Sequence, residues 1–114
     1  MYQVYSLNTI SPKGNALWTE DYVKTEHIEE ANAIMVRSAN MHEMEFSDNL
    51  LAVARAGAGV NNIPLTSCAD QGIVVFNTPG ANANSVMELA LCGILLGSRD
   101  IVDGINWVQT IKDS

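Results

Sequence analysis

Three short polar segments carry the residues that could bind a small anion. Arg37-Ser38-Ala39-Asn40 follows one apolar run of the chain, and Gly57-Ala58-Gly59 follows another. A guanidinium group binds a carboxylate or phosphate in a bidentate fork, and a glycine loop can present bare backbone N–H groups to an anion. The third segment, 77–84, contains three asparagines and follows a third apolar run. The alternatives are a structural ion pair for Arg37, a tight strand-to-helix connection for the glycines, and turn chemistry for the asparagines.

The glycine segment does not match the fingerprint of a dinucleotide-binding loop. Asn62 stands where the third glycine of G-x-G-x-x-G belongs, and no acidic residue for a ribose lies about 20 residues further on, in 76–80. The only two histidines, His27 and His42, are expected to be surface residues and not general bases. Cys68 and Cys92 lack metal-ligand spacing and are predicted to be buried, reduced and small hydrophobic residues. We therefore predict no metal site.

The charge balance narrows the classes of partner. The 114 residues contain six Lys and Arg against thirteen Asp and Glu, a formal net charge of −7. An acidic chain without a basic block is poorly suited to nucleic acid, because phosphate neutralisation needs Lys and Arg. The longest apolar stretch, Leu89–Leu96, is short of the roughly 20 residues that a membrane span needs. We expect a soluble domain in which Arg37 and the loop amides create a local positive spot.

The apolar runs predict the elements that position these segments. Strands are expected at Tyr2–Leu7, Ala33–Val36, Leu50–Ala56 and Ile73–Phe76, and short helices at Met41–Ser47 and Leu65–Gln71. Glu20–Asn32 is expected to be a solvated surface segment. Short apolar strands with helical links predict an α/β fold with a largely parallel sheet. Because ligands bind beyond the carboxyl ends of such strands, the three polar segments are expected to meet at one edge.

The last 30 residues predict two helices. Ser85-Val86-Met87-Glu88 has the spacing of a capping box and is expected to begin the first helix. From Val86 to Leu96 this helix is apolar almost all round, so it should be covered on every side. The second helix is expected from about Arg99 to Lys112. We predict that Val86–Leu96 binds a second copy of the chain or another domain.

The chain resembles the N-terminal part of the D-isomer-specific 2-hydroxyacid dehydrogenases. The matching runs are Ile34–Ala39, Arg55–Ile63 and Gly72–Leu89. Asn61, Pro64 and Met87 depart from residues that are common in the family. The resemblance implies a flavodoxin-like, three-layer α/β substrate-binding domain that ends in a long apolar helix leading to a Rossmann domain outside this sequence. The division it implies is 1–84 for the substrate-binding portion and 85–114 for interdomain helices.

The resemblance also implies roles for individual residues. Substrate contacts are expected from Arg37, Ser38 and Ala39, from Gly57, Ala58 and Gly59, and from Asn82. Asn82 and Val86 are expected near the nicotinamide of NAD. The catalytic Arg, Glu and His of the family, and its dinucleotide fingerprint, match no position in this sequence.

The resulting hypothesis is an enzyme portion that binds a small anionic 2-hydroxyacid. The whole enzyme would be cytoplasmic and would oxidise a phosphorylated 2-hydroxyacid by hydride transfer to NAD, and this chain alone would be inactive. The alternative is a non-catalytic α/β binding or self-association module. A receiver-type signalling domain is disfavoured, because its acidic strand-end pocket would fall where Arg37 and the glycines stand.

Overall fold

A computed structural model describes all residues, Met1–Ser114, in two compact units, Met1–Pro79 and Gly80–Ser114. The first unit contains five strands and two short helices. In chain order these are β1 (Tyr2–Ser6), α1 (Pro12–Asn15), β2 (Tyr22–Lys24), a 3-10 turn (Ile28–Glu30), β3 (Ala33–Val36), β4 (Ala52–Arg55), α2 (Leu65–Asp70) and β5 (Val74–Phe76). The second unit contains α3 (Ala83–Ser98) and α4 (Ile101–Ile111).

The five strands form one parallel sheet in the order β2-β1-β3-β4-β5. This is the flavodoxin-like strand order, in which the chain reverses its direction of travel across the sheet between β1 and β3. The predicted α/β class and parallel sheet are therefore confirmed. The third layer and a Rossmann domain following α3 stay predictions.

The core lies on one face of β3 and β4. Ile34, Val36 and Val53 are almost completely buried, whereas Met35 on the other face of β3 is only half-buried. Met41, Ile63 and Cys68 extend the buried cluster from the loops and α2. The continuous apolar run at Ala33–Val36 predicted a strand covered on both faces, and the structure buries one face more deeply than the other.

The segment Glu20–Asn32 contains a strand that its sequence does not signal. β2 is the edge strand, and its three residues are all exposed, so they carry no hydrophobic pattern. Backbone pairing with β1 holds it, with Tyr2 opposite Tyr22 and Val4 opposite Lys24. The expected solvent exposure is thus confirmed for most of the segment, but the strand was not predicted, because an edge strand can be defined by main-chain hydrogen bonds alone.

The helix expected at Met41–Ser47 is also absent, and the chain forms a turn there. The Asn40 side-chain oxygen accepts a hydrogen bond from the His42 N–H at 3.0 Å, which competes with helix formation. Met41 is fully buried, and its N–H donates to the Asn62 carbonyl. Burial of Met41 thus anchors an irregular loop.

Of the two helices of the second unit, α3 begins earlier than predicted, whereas α4 begins at Ile101, two residues after the predicted start near Arg99. α3 begins at Ala83 with Asn82 at the N-cap position, so Ser85 is already inside the helix and forms no capping box. The Val86 N–H donates to the Asn82 carbonyl, which is the i to i−4 bond of a helix. Neither helix has a buried side chain, and Cys92 on α3 is exposed, contrary to prediction. No helix has the length and apolar character required to span a membrane.

Candidate anion-binding site

The carboxyl ends of β1 and β3 meet at the point where the chain reverses its travel across the sheet. There the side-chain oxygen Oδ1 of Asn8 accepts three backbone hydrogen bonds, from Arg37 at 2.8 Å and from Ser38 and Ala39 at 3.2 Å each. Three successive N–H groups that face one oxygen form an anion nest, and here a neutral carboxamide occupies it. The backbone donors of Arg37, Ser38 and Ala39 are therefore already used inside the protein.

The carbonyl groups of the same loop are held from the opposite side. Arg55 Nε donates to the Arg37 carbonyl at 2.8 Å. Asn62 Nδ2 donates to the carbonyls of Arg37 at 3.2 Å and Ala39 at 2.8 Å. Side chains from three other segments thus fix both polar sides of this backbone. What remains free to meet a ligand is the Arg37 guanidinium and the Ser38 hydroxyl, both on exposed residues.

The glycine loop that follows β4 has the opposite arrangement. Its carbonyls are engaged: Gly57 accepts from the Thr78 N–H at 2.9 Å, and Ala58 accepts from Asn77 Nδ2 at 2.6 Å. Gly59 accepts from the Arg55 guanidinium. The N–H groups of Gly57, Ala58 and Gly59 donate to no acceptor in the protein. The loop therefore keeps three donors without a partner in the protein, which is a requirement of the hypothesis that it binds an anion.

Glycine at positions 57 and 59 has a steric reason. A Cβ atom at Gly57 would lie 3.2 Å from Arg55 Nε, and one at Gly59 would lie 3.1 Å from Arg55 Nη1. Both distances are tighter than ordinary van der Waals contact, so larger residues would displace the guanidinium. Arg55 consequently joins the loop after β3 to the loop after β4.

The Arg37 guanidinium has no carboxylate partner. The ion pairs of the protein are Lys24–Glu26, at 2.9 Å, and His27–Glu29, at 3.7 Å if the histidine is protonated. The alternative of a structural ion pair for Arg37 is therefore wrong. Arg37 instead borders a cavity of about 520 Å³. That cavity is also lined by Thr9, Ser11, Met35 and Ala56.

A larger cavity, of about 990 Å³, lies beside α2 and does not suit an anion. Its charged lining residue is Asp70, and no lysine or arginine borders it. His42 lies at its rim and bonds through Nε2 to the Asn61 carbonyl at 2.7 Å. The structure contains no group of three or more His, Cys, Asp or Glu side chains that could hold a metal ion.

The other two predicted site residues lie in the second unit. Asn82 is the N-cap residue of α3 and makes no side-chain capping bond, and Val86 is an exposed residue of the first turn. Their predicted contacts with substrate and nicotinamide stay predictions. Of the asparagine-rich segment, Asn77 and Thr78 reach the glycine loop and confirm that the loops after β4 and β5 meet.

The glycine loop after β4 does not fit the pyrophosphate of NAD. The helix after the glycine loop, α2, begins at Leu65, six residues past Gly59, and has only six residues. A dinucleotide fingerprint needs a helix that starts directly at its glycines. The Arg55 side chain also packs against Gly57 and Gly59. The glycine loop therefore lacks the geometry of a dinucleotide fingerprint.

Sequence reasoning missed three residues of this site, namely Asn8, Arg55 and Asn62 in their bridging roles. Each bonds to the backbone of a segment that is distant in sequence. Asn8 lies 31 residues from Ala39, and Arg55 and Asn62 lie 18 and 25 residues from Arg37. The position of Asn8 directly after the predicted strand Tyr2–Leu7 was the available signal, because strand ends at the switch point face the ligand crevice.

Comparison with known proteins adds independent information. A family model described as "D-isomer specific 2-hydroxyacid dehydrogenase, catalytic domain" matches residues 13–110. The hydroxypyruvate reductase of Thermotoga maritima is 40% identical over 91 residues, covering 69% of this chain and 30% of that protein. The D-3-phosphoglycerate dehydrogenase of Mycobacterium leprae is 37% identical over 79 residues, covering 67% and 15%. The chain thus spans less than a third of these relatives.

Solved structures agree with the sequence matches. The NAD+-bound 3-phosphoglycerate dehydrogenase of Entamoeba histolytica superposes with a TM-score of 0.70 at 26% identity, covering 84% of this chain and 39% of that one. A 2-hydroxyacid dehydrogenase of Ketogulonicigenium vulgare also gives a TM-score of 0.70, at 22% identity, over 96% and 40%. The second likeness supports the fold alone.

Proposed function

The chain belongs to the D-isomer specific 2-hydroxyacid dehydrogenase family, and we propose that it binds the anionic 2-hydroxyacid of such an enzyme. The observation that carries this proposal is the glycine loop, whose three N–H groups have no acceptor in the protein while its carbonyls are engaged. The unpaired Arg37 guanidinium stands on the neighbouring strand end. Together they provide one cation and several neutral donors at one edge of the sheet.

The different donors suit different groups of the substrate. Ser38 adds a hydroxyl beside Arg37, and Asn82 is proposed as a further contact. A 2-hydroxyacid has a carboxylate, and a phosphorylated one has a second anionic group. Backbone N–H groups suit the carboxylate, because they need no counter-charge, and a guanidinium suits the phosphate through its bidentate fork. This chain would hold the substrate in position rather than transfer a proton or hydride.

The whole enzyme is proposed to be a cytoplasmic NAD-dependent oxidoreductase that acts on a phosphorylated 2-hydroxyacid, with D-3-phosphoglycerate as the favoured substrate. Several relatives named as D-3-phosphoglycerate dehydrogenases support this choice. When NAD is bound, its nicotinamide accepts the hydride. The residues that hold its pyrophosphate are proposed to lie outside these 114 residues, with Asn82 and Val86 near the nicotinamide.

Titration of the ¹⁵N-labelled chain with 3-phosphoglycerate tests the binding proposal. We expect saturable amide shifts at Gly57, Ala58 and Gly59. Arg37→Gln should weaken binding by about 10- to 100-fold, because a hydrogen bond to a charged group contributes about 1.5–3 kcal/mol. Arg99→Gln removes the same charge from the second unit and should leave the affinity unchanged. Equal affinity in the parent and Arg37→Gln would overturn the proposal, and weaker binding of hydroxypyruvate would support the phosphorylated substrate.

A dehydrogenase assay tests the proposal that the chain alone is inactive. The purified chain is mixed with NAD+ and 3-phosphoglycerate, and the absorbance of reduced nicotinamide is followed beside a dehydrogenase of known activity. No turnover is expected, because the glycine loop does not fit the pyrophosphate. Turnover that remains after repeated purification would contradict the proposal.

A second candidate function is self-association through residues 86–96. Leu89 and Ile94 are 75% and 67% exposed, and Glu88 is the only charged residue in this stretch. A symmetric pair of identical helices would cover each apolar surface with its own copy. Sedimentation should show dimers that Ile94→Glu dissociates and Lys112→Glu does not. A monomer at high concentration would remove this candidate.

A further inference from the structure

The loop Arg37–Ala39 is held by a residue to which no binding role has been given above. Asn8 lies two residues after β1, and its Oδ1 accepts from all three N–H groups of the loop at 2.8–3.2 Å. Without this oxygen, three adjacent donors would converge on empty space or on water. Their mutual repulsion would favour another backbone conformation at the strand end that carries Arg37.

We propose that Asn8 is a positioning residue of the anion site, which acts through the Arg37–Ala39 loop to aim the Arg37 guanidinium. The inference rests on the proposed function for the identity of the ligand. It adds that the N–H groups of this loop are not ligand contacts, since Asn8 occupies them. The ligand is met by the side chains of Arg37 and Ser38 and by the N–H groups of the glycine loop.

The chemistry of the acceptor fits this role. A carboxamide oxygen is uncharged, so it satisfies the three N–H groups without cancelling the positive charge of Arg37. In an acidic chain with a net charge of −7, a neutral acceptor beside the unpaired Arg37 guanidinium preserves the local attraction for an anion. The carbonyl side of the loop is held independently by Arg55 and Asn62, so removal of Asn8 loosens the loop without releasing it.

A second asparagine offers a matched control at the other end of the sheet. Asn32 precedes β3, and its Oδ1 accepts from the Gln3 N–H at 2.9 Å while its Nδ2 donates to the Asn49 carbonyl at 3.3 Å. It is half-buried, as Asn8 is, and it likewise joins distant backbone segments. A purely structural asparagine should therefore behave as Asn32 does.

The experiment measures the affinity of the chain for 3-phosphoglycerate and its urea stability in Asn8→Ala and Asn32→Ala. Both variants should lose stability to a similar extent. Asn8→Ala should bind about tenfold more weakly, and Asn32→Ala should bind as the parent does. Equal affinities in parent and Asn8→Ala would overturn the inference while leaving the proposed function intact. Failure of the parent to bind would instead overturn the proposed function and, with it, the role of Asn8.

A double variant separates positioning from general damage. If Asn8 acts by aiming Arg37, its substitution has no further effect once the guanidinium is gone. The affinity of Asn8→Ala/Arg37→Gln should then equal that of Arg37→Gln alone. A tenfold additional loss in the double variant would show that Asn8 acts elsewhere and would contradict the inference. Amide resonances of Arg37, Ser38 and Ala39 should shift in Asn8→Ala and not in Asn32→Ala.

Discussion

The guanidinium of Arg55 donates from Nε to the backbone carbonyl of Arg37 at 2.8 Å, across the ends of β4 and β3. The two strands pair in register at these residues, with Val36 opposite Arg55. Arg55 also donates to the Gly59 carbonyl. One side chain therefore connects the loop that carries the free cation with the loop that carries the free N–H groups.

Arg55→Gln should lower the free energy of unfolding by about 1–2 kcal/mol, because two carbonyl groups lose a charged donor. Urea unfolding of the chain measures this change. Arg99→Gln is the control, since Arg99 makes no side-chain hydrogen bond or ion pair, and its stability should be within about 0.5 kcal/mol of the parent. Equal stability of the two variants would refute the bridging role of Arg55.

Gly57→Ala should destabilise the chain by about 1 kcal/mol, because the added Cβ would lie 3.2 Å from Arg55 Nε and 3.4 Å from Arg55 Cζ. The effect depends on the guanidinium. In an Arg55→Ala background the same glycine substitution should therefore cost less than about 0.3 kcal/mol. A double-mutant cycle by urea unfolding gives the coupling, and an absent coupling would show that the glycine serves another purpose.

Gly72→Ala should destabilise the chain by about 1–2 kcal/mol for a reason confined to the backbone. Gly72 follows α2 with φ at +72°, and no atom lies within 4 Å of the position of an added Cβ. A Cβ in the left-handed region meets its own carbonyl oxygen. Gly93→Ala on α3 is the control. A Cβ atom added at Gly93 also has no atom within 4 Å. This substitution should stabilise the chain by up to about 1 kcal/mol, because alanine favours the helix more than glycine does.

The two cysteines should differ in reactivity. Burial raises the pKa of the Cys68 thiol above its ordinary value of 9.0, and the side chain is inaccessible, whereas Cys92 is exposed. At pH 8 an alkylating reagent should modify Cys92 readily and Cys68 only on unfolding, as peptide mass mapping with and without urea would show. Similar rates at both thiols in the folded chain would contradict the buried position of Cys68.

The raised pKa of Cys68 also has a stability consequence with a definite sign. The unfolded thiol ionises near 9.0 and the folded thiol ionises higher, so ionisation favours the unfolded chain. This contribution is fully present below pH 9 and is lost as the pH rises through the folded pKa. Cys68→Ala should remove it, so the stability gap between parent and variant should narrow between pH 8 and pH 10.

Much of the fold could be predicted because the central strands are continuous apolar runs in the sequence. Ala33–Val36 matches the observed β3 residue for residue, and Gly72 ends α2 as its type and position predicted. β2 could not be predicted, because an exposed edge strand needs only main-chain partners. The start of α3 was predicted too late, because Ser85 and Glu88 have the spacing of a capping box. In the structure the helix already begins at Ala83.

For the candidate site, the sequence indicated a cation and a set of backbone donors but not the hydrogen bonds that hold them. Arg37 and the glycine loop are signalled by residue type at strand ends. The bonds from Asn8, Arg55 and Asn62 join residues 18 or more positions apart, so no local pattern contains them. The orientation of the Ala39 N–H toward Asn8, which removes it from the set of ligand donors, depends on strand order.

The strand order also sets the sequence of events in folding. In each ladder the partners lie far apart along the chain: Tyr2 pairs with Tyr22, Val4 with Ala33, and Ala52 with Val74. No hairpin can nucleate this sheet, so folding must close long loops before any ladder forms, and such topologies fold slowly. During synthesis the first strand can recruit β3 only after residue 36 has left the ribosome. The bonds from Asn8 to residues 37–39 can then follow at once, so the anion site would begin to take shape with the central ladder rather than after the sheet is complete.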